Sequence, residues 1–372
     1  MTSSCVVFRA DAGLNIGTGH VMRCLTLADA LRAEGAKVVF ITRQHRGHII
    51  PTIRDRGYRA ITLLGDTGAD YGAHTATPVH ANWLDADWRD DAAATRQALR
   101  DEGADWLVLD HYALDRVWQE AALPGGVRLL VIDDLADRPH LADVLLDQNV
   151  GRLAQDYDGL VPENYDRLIG PAHALLRPEF ATLRPDALRR RETLKRPERL
   201  LVTLGGIDRD NATGVVLDAL AGIAGIDQMK VSVVMGANAP WLDDVKRQAR
   251  ALPMHTQVDV AVPDMARRLT QTDLCIGAAG STAWERCCLG LPTLQLALAD
   301  NQTAIARSMA ENGVALALPH PDESDFAAAL AQGLTQLSDP SAYRAMARRA
   351  AALTDGTGAG HMAARLLGDA HD

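Results

Sequence analysis

Short apolar runs recur along the chain and alternate with segments whose apolar residues fall at helical spacing. In the first half, Cys5–Arg9 (CVVFR) and Lys37–Thr42 (KVVFIT) read as strands, with a helix over Val21–Glu34 between them. Asp105–Asp110 (DWLVLD) and Val127–Asp133 (VRLLVID) follow, each an apolar run ending on an acid. Continuous apolar strands separated by helices predict a parallel sheet covered on both faces. Gly65–Asp91 is polar and turn-rich but carries Trp83 and Trp88. It reads either as a binding loop or lid, or as a solvated connector anchored by its tryptophans. Pro178, Pro185 and Pro197 flank the basic run Arg189-Arg190-Arg191 and mark 177–198 as a linker carrying the first helix of the second half. The arginine run itself reads as a solvated helix face. The alternation then restarts: strands at Leu200–Leu204, Val231–Met235, Leu274–Gly277 and Thr293–Leu296, and helices at Asn211–Leu220, Trp241–Ala251 and Thr282–Leu289. The Ala-rich stretch Tyr343–Leu367 reads as helical. The predicted architecture is α/β: two Rossmann-like, doubly wound domains facing a central cleft. Residues 1–176 form the first domain and 199–345 the second, and a C-terminal helix over 346–372 packs near the junction. Ligands of such sheets bind beyond the carboxyl ends of the strands, so the residues after each strand are the ones to inspect.

Composition narrows the function. The 372 residues are 47% hydrophobic, 23% charged and only 4% aromatic, a soluble globular profile with an aliphatic core. The net charge of −10, from 38 basic and 48 acidic residues, argues against a nucleic-acid partner. It leaves phosphate ligands open, because backbone amides and helix ends hold phosphate without a basic surface. Cys5, Cys24, Cys275, Cys287 and Cys288 are odd in number and form no C-x-x-C, so reduced thiols in a cytoplasmic protein are expected rather than a disulfide framework or zinc site. No apolar run approaches the roughly 18 residues of a membrane span.

The first strand feeds Asp11-Ala12-Gly13-Leu14-Asn15-Ile16-Gly17-Thr18-Gly19-His20. Gly17 and Gly19 let the backbone turn tightly and approach a ligand. The third glycine of a dinucleotide fingerprint is missing, and a histidine stands at the helix start instead, so no cofactor is expected. A helix N-terminus disfavours imidazolium, which suits His20 to act as a general base. At the end of the DWLVLD strand, Asp110-His111-Tyr112 makes a polar cluster able to orient a sugar or move a proton. In the second half, Gly277-Ala278-Ala279-Gly280-Ser281-Thr282-Ala283-Trp284-Glu285 leaves a strand and opens a helix. Small residues there permit close backbone approach, and the Ser281 and Thr282 hydroxyls suit phosphate oxygens. Glu285 suits ribose hydroxyls, or closes a capping box from Thr282. Gly205-Gly206 after another strand, and Ala299-Asp300-Asn301-Gln302 after a further one, repeat the strand-to-loop pattern. Asp133-Asp134 lacks the His/Glu spacing of a metal site, so no metal is expected.

Phe8-Arg9-Ala10-Asp11, Ile16–His20 and Arg23-Cys24 together resemble the opening of the UDP-2,4-diacetamido-2,4,6-trideoxy-β-L-altropyranose hydrolases of pseudaminic acid biosynthesis. The resemblance continues through Leu109–Tyr112, Asp133-Asp134, Gly205–Asp208 and Gly280–Leu291 to Asn301-Gln302, nearly the whole chain. Its wider relatives are GT-B glycosyltransferases of the MurG type. It implies a GT-B fold and inverting attack of water at the anomeric carbon, releasing UDP and the free sugar. His20 is then the base, with Asp11, Gly17, Gly19, His111, Tyr112 and Asn301 on the sugar side. Gly205, Gly206, Gly280, Ser281, Thr282 and Glu285 are on the UDP side. Trp284 departs from the pattern, standing where a small or polar residue is expected. The implied partner is a UDP-sugar, with no nucleic acid, no stable membrane association, and a monomer or weak dimer. A transferase using the same fold, a UDP-sugar 2-epimerase and a non-catalytic nucleotide-sugar binder are the competing readings.

Overall fold

The computed structural model describes residues 3–65, 70–72 and 77–368, apart from the side chain of Asn301. The chain divides into two compact units, Met1–Leu175 with Thr357–Asp372, and Leu176–Gly356.

The first unit holds strands β1 (Cys5–Ala10), β2 (Lys37–Arg43), β3 (Arg59–Leu63), β4 (Trp106–Asp110), β5 (Arg128–Ile132), β6 (Val144–Asp147) and β7 (Asp166–Ile169) in one parallel sheet of order β3-β2-β1-β4-β5-β6-β7. The strand order reverses between β1 and β4, which pair with Ala10 beside Asp110. The loops after these two strands therefore flank a topological switch point, where doubly wound sheets bind their ligands. Side-chain alternation sorts the strand residues onto two cores. Val6, Phe8 and Ala10 pack with Val21, Leu25, Ala28 and Leu31 of helix α1 (Gly19–Ala33). Helix α2 (Ile50–Asp55) lies between β2 and β3. On the other face, Val7 and Leu107 pack with Leu99 of α3 (Trp88–Glu102) and Trp118 of α4 (Arg116–Ala122).

The second unit opens with helix α5 (Pro178–Thr193) and carries β8 (Arg199–Thr203), α6 (Ala212–Ala221), β9 (Lys230–Met235), α7 (Leu242–Ala251), β10 (His255–Val260), α8 (Met265–Gln271), β11 (Leu274–Ala278), α9 (Thr282–Cys288), β12 (Thr293–Leu296), α10 (Asp300–Glu311), β13 (Leu316–Ala317), α11 (Phe326–Ser338) and α12 (Pro340–Ala351). Its parallel sheet runs β10-β9-β8-β11-β12-β13, with a second switch point between β8 and β11. The Gly205-Gly206 loop and the Gly280–Thr282 loop follow these two strands.

Two expectations change. The segment 177–198 is mostly the expected helix, α5, but its arginines are not simply solvated. Arg191 is buried and donates to the Leu269 carbonyl, while Arg190 pairs with Asp273. The C-terminal segment is two helices rather than one. Helix α12 packs within the second unit, whereas α13 (Gly358–Gly368) returns to the first, against α1, where the Trp106 indole donates to the Leu366 carbonyl. All five cysteines are buried and free. Among the described residues, no helix is long and apolar enough to cross a membrane.

Candidate active site

The loop from β1 to α1 is pinned on itself. Gly13 and Gly17 exchange backbone hydrogen bonds, N–H to C=O, in both directions. Gly17 sits at φ +78°, a left-handed conformation that favours glycine. This turn delivers Gly19 and His20 to the first turn of α1, whose N-cap Thr18 makes no side-chain capping bond. His20 Nδ1 lies 2.6 Å from Asp110 Oδ1. A carboxylate only accepts, so Nδ1 carries a proton, and the neutral ring then accepts through Nε2. Asp110 is itself held by Arg23, which donates through Nε at 2.6 Å and Nη2 at 2.7 Å. Burial pushes the Asp110 carboxyl up, but Arg23 and His20 outweigh it and hold the group far below the usual carboxylate range. Arg23 reaches on to Asp134, 2.7 Å away, and Asp134 accepts the Tyr112 hydroxyl at 2.6 Å. Burial, and then the Asp134 charge, push the Tyr112 phenol well up, so it stays protonated as the donor.

Aromatic rings enclose His20. Tyr112 meets it edge-on at 4.6 Å, Trp83 stacks on Tyr112 at 5.5 Å, and His80 lies 4.5 Å from Trp83. Trp83 and His80 come from the polar stretch between β3 and α3. Parts of that stretch, 66–69 and 73–76, lie outside the described residues. The sequence leaves this stretch open between a binding loop and a connector anchored by its tryptophans, and does not single out Trp83.

Two expected sugar-side residues sit elsewhere. Asp11 is fully buried; its carboxylate accepts from Arg9 Nη1 and the Arg43 backbone N–H, both at 2.6 Å. His111 is also buried. Its Nδ1 accepts from the Ala113 N–H and its Nε2 faces Asp11 at 3.2 Å. Burial pushes its imidazole down, against the pull of Asp11, so it is neutral. Both belong to the opposite face of the sheet from His20. Successive residues point to alternate faces, so Asp110 turns toward α1 and His111 away from it.

In the second unit, Gly205 stands at φ +101°, and no atom lies within 4 Å of where a Cβ would be on Gly205 or Gly206. The expected helix-start amides beyond them are already used. Asp208 accepts from the Ala212 and Thr213 N–H groups, and Asn211 from Gly214. What the loop offers a ligand is therefore its open glycine backbone. The α9 loop differs. Ser281 is the N-cap, exposed and without a capping bond, and Thr282 Oγ1 accepts from Arg286 Nη1 at 3.1 Å. The capping box expected from Thr282 to Glu285 does not form, because Thr282 is already inside the helix. Glu285 lies 3.8 Å from Arg177 Nη2. Burial pushes its carboxyl up to about 7, against the pull of Arg177 and Arg286. Trp284 is buried in the core. Asp300 is not a helix cap; Ala299 is, and Gln302 accepts from the Leu298 N–H. The Asn301 side chain lies outside the described residues. Asp133 is neutralised by Arg138 and caps Ala136, and no metal-holding cluster occurs among the described residues.

With this geometry in hand, the chain was compared with known proteins. No protein-family model matches it. The spore coat polysaccharide biosynthesis protein SpsG of Bacillus subtilis is 34% identical over 150 residues, spanning 40% of this chain and 42% of that protein. The UDP-2,4-diacetamido-2,4,6-trideoxy-β-L-altropyranose hydrolase of Campylobacter jejuni is 22% identical over 83% of this chain and 97% of its own length. The crystal structure of Acinetobacter baumannii MurG superposes with a TM-score of 0.68 at 17% identity, covering 98% of this chain and 99% of that one. The fold is GT-B. In GT-B terms the first unit carries the His20 cluster and the second the Gly205-Gly206 and Gly280–Thr282 loops.

Proposed function

We propose that this protein hydrolyses a UDP-activated diacetamido-trideoxy sugar. His20 Nε2 takes a proton from water as the water oxygen bonds to the anomeric carbon. The C1–O bond breaks with inversion, and its electron pair leaves on UDP. The observation that carries this reading is the His20–Asp110 pair at a switch-point loop beside an aromatic wall, because it holds the proton of the neutral ring on Nδ1 and makes Nε2 the acceptor. The likeness to the Campylobacter hydrolase over most of both chains supports the same assignment. The open backbone at Gly205-Gly206 and the Ser281 and Thr282 hydroxyls are assigned to the diphosphate, and Glu285 to the ribose. UDP is a good leaving group, so its departure needs fixed dipoles more than an added acid.

Hydrolysis in H₂¹⁸O separates the alternatives. Label is expected in the C1 hydroxyl of the released sugar. Label in UDP means cleavage at phosphorus, and release that requires an added hydroxyl acceptor means transfer; either overturns the hydrolase reading.

Glu285 gives a pH test. Ribose hydroxyls donate to its carboxylate, which forms only as pH rises through about 7. UDP affinity is therefore expected to climb about fivefold from pH 6 to 8 for a one-unit pull on the carboxyl, which is worth about tenfold in full. Glu285→Gln should lose that component while keeping the part due to the phosphate's own titration, as isothermal calorimetry of both proteins would show. In the free protein the same raised carboxyl subtracts stability as pH rises from 4.5 to about 7, since the unfolded chain ionises first.

A further inference from the structure

We propose that Trp83, backed by Tyr112 and His80, is the specificity platform of the His20 site. It selects sugars that present methyl and N-acyl groups there over sugars that present hydroxyls. The inference rests on the reading of His20 as the base of a UDP-sugar hydrolase.

Most of the polar groups around His20 are already committed to one another. Both oxygens of Asp110 are taken, Oδ1 by His20 and Arg23 and Oδ2 by Arg23 again. Asp134 accepts from Arg23, Tyr112 and Asn149. The Tyr112 hydroxyl donates its proton to Asp134. Burial pushes the His80 imidazole down, so it carries no charge at neutral pH. What these side chains leave uncommitted is mainly the ring surface of Tyr112, Trp83 and His80. Tyr112 is only 4% exposed, whereas the Trp83 residue is partly exposed and stacked over it at 26° between ring planes. The indole is thus the outer leaf, and its ring centroid is 6.5 Å from that of His20.

Trp83 is also fixed in place. It ends a single helical turn, Ala81–Trp83, whose neighbours Ala81, Leu84 and Ala86 are buried in the core formed with α3 and α4. The Trp83 N–H donates to the His80 carbonyl, and the Leu84 N–H to the Ala81 carbonyl. A rigid aromatic face of this kind gains from stacked C–H and methyl groups. A sugar hydroxyl pressed against it gives up its water for no partner. Small apolar groups in such pockets discriminate by roughly 10–200-fold.

The test is steady-state hydrolysis by the full chain of a UDP-2,4-diacetamido-2,4,6-trideoxyhexose and of UDP-N-acetylglucosamine. The wild type should prefer the first. In Trp83→Ala the KM for the first should rise about tenfold or more, the preference should shrink by a similar factor, and inhibition by UDP should be unchanged. The pH profile should also stay put, because the His20–Asp110 pair is untouched. Trp83→Phe should recover most of the preference. An equal loss on both sugars, or no loss on either, overturns the platform. If the wild type hydrolyses neither sugar, the hydrolase reading fails by itself. Calorimetric Kd values then decide the platform: it stands if Trp83→Ala narrows the difference between the two UDP-sugars and falls if the difference is unchanged.

Discussion

Asp110→Asn is expected to slow turnover about as much as His20→Ala, on the order of 10²- to 10⁴-fold in kcat, although Asp110 touches no substrate in the proposed mechanism. The reason is the proton on the imidazole. In the wild type the carboxylate fixes it on Nδ1 and leaves Nε2 as the acceptor. An asparagine amide can donate to Nδ1, which moves the ring proton to Nε2 and blocks the base. Arg23 keeps Asp134 as a partner in this variant, so the local cation is not stranded. Steady-state kinetics with a thermal-melt control would check the claim. Since the two residues act as one unit, the double variant should be little slower than either single one. Multiplicative losses would mean that Asp110 works independently of His20. UDP affinity should stay near wild type in all three proteins, because the nucleotide contacts are assigned to the second unit.

Much of this arrangement was legible along the chain, and the gaps have physical causes. The apolar runs that announced β1, β2, β4, β5, β8, β9, β11 and β12 belong mainly to strands with a neighbour on each side. Among the strands not anticipated, β3, β7, β10 and β13 are sheet edges. An edge strand is buried less, and its sequence shows it: His255–Val260 (HTQVDV) alternates polar and apolar residues instead of running apolar. The helix expected within 177–198 forms as α5: Pro178 sits in its first turn, where the missing N–H costs nothing, and the helix continues through Pro185.

In the candidate site, His20 was legible from two glycines and a helix start. Nothing along the chain pairs it with Asp110. Ninety positions separate the two in sequence, and only the β1–β4 pairing brings them together. Asp11 and His111 neighbour the right loops, but strand alternation turns them to the opposite face. A rule of two along Asp110-His111 would have found this. Trp83 had no such signal, since nothing in a polar stretch tells which of its aromatics stands beside His20.

The buried cluster behind the site makes the second large prediction, this one on stability. Arg9 is fully buried and bridges Asp11 at 2.6 Å and Asp91 at 2.8 Å. Arg43 and the Trp118 indole also donate to Asp91. Replacing Arg9 by Met keeps most of the volume but leaves two buried carboxylates short of their shared cation. Breaking a buried pair in this way typically costs about 3–5 kcal/mol, a large share of a marginal total of ~5–15 kcal/mol. The pH dependence identifies the cause. Burial pushes the Asp11 and Asp91 carboxyls up, but Arg9 outweighs it, with His111 and His45 adding to the pull on Asp11 and Arg43 to that on Asp91; both end below their ordinary value of 3.8. In the wild type they therefore contribute stability that is present above the unfolded value and lost as pH falls through the lower folded values. In Arg9→Met burial acts with less opposition and raises both carboxyls, so the variant loses stability as pH rises from about 4. The gap between the two proteins should widen from pH 4 to pH 7 in urea melts. A gap that is constant across this range would trace the loss to packing instead of charge.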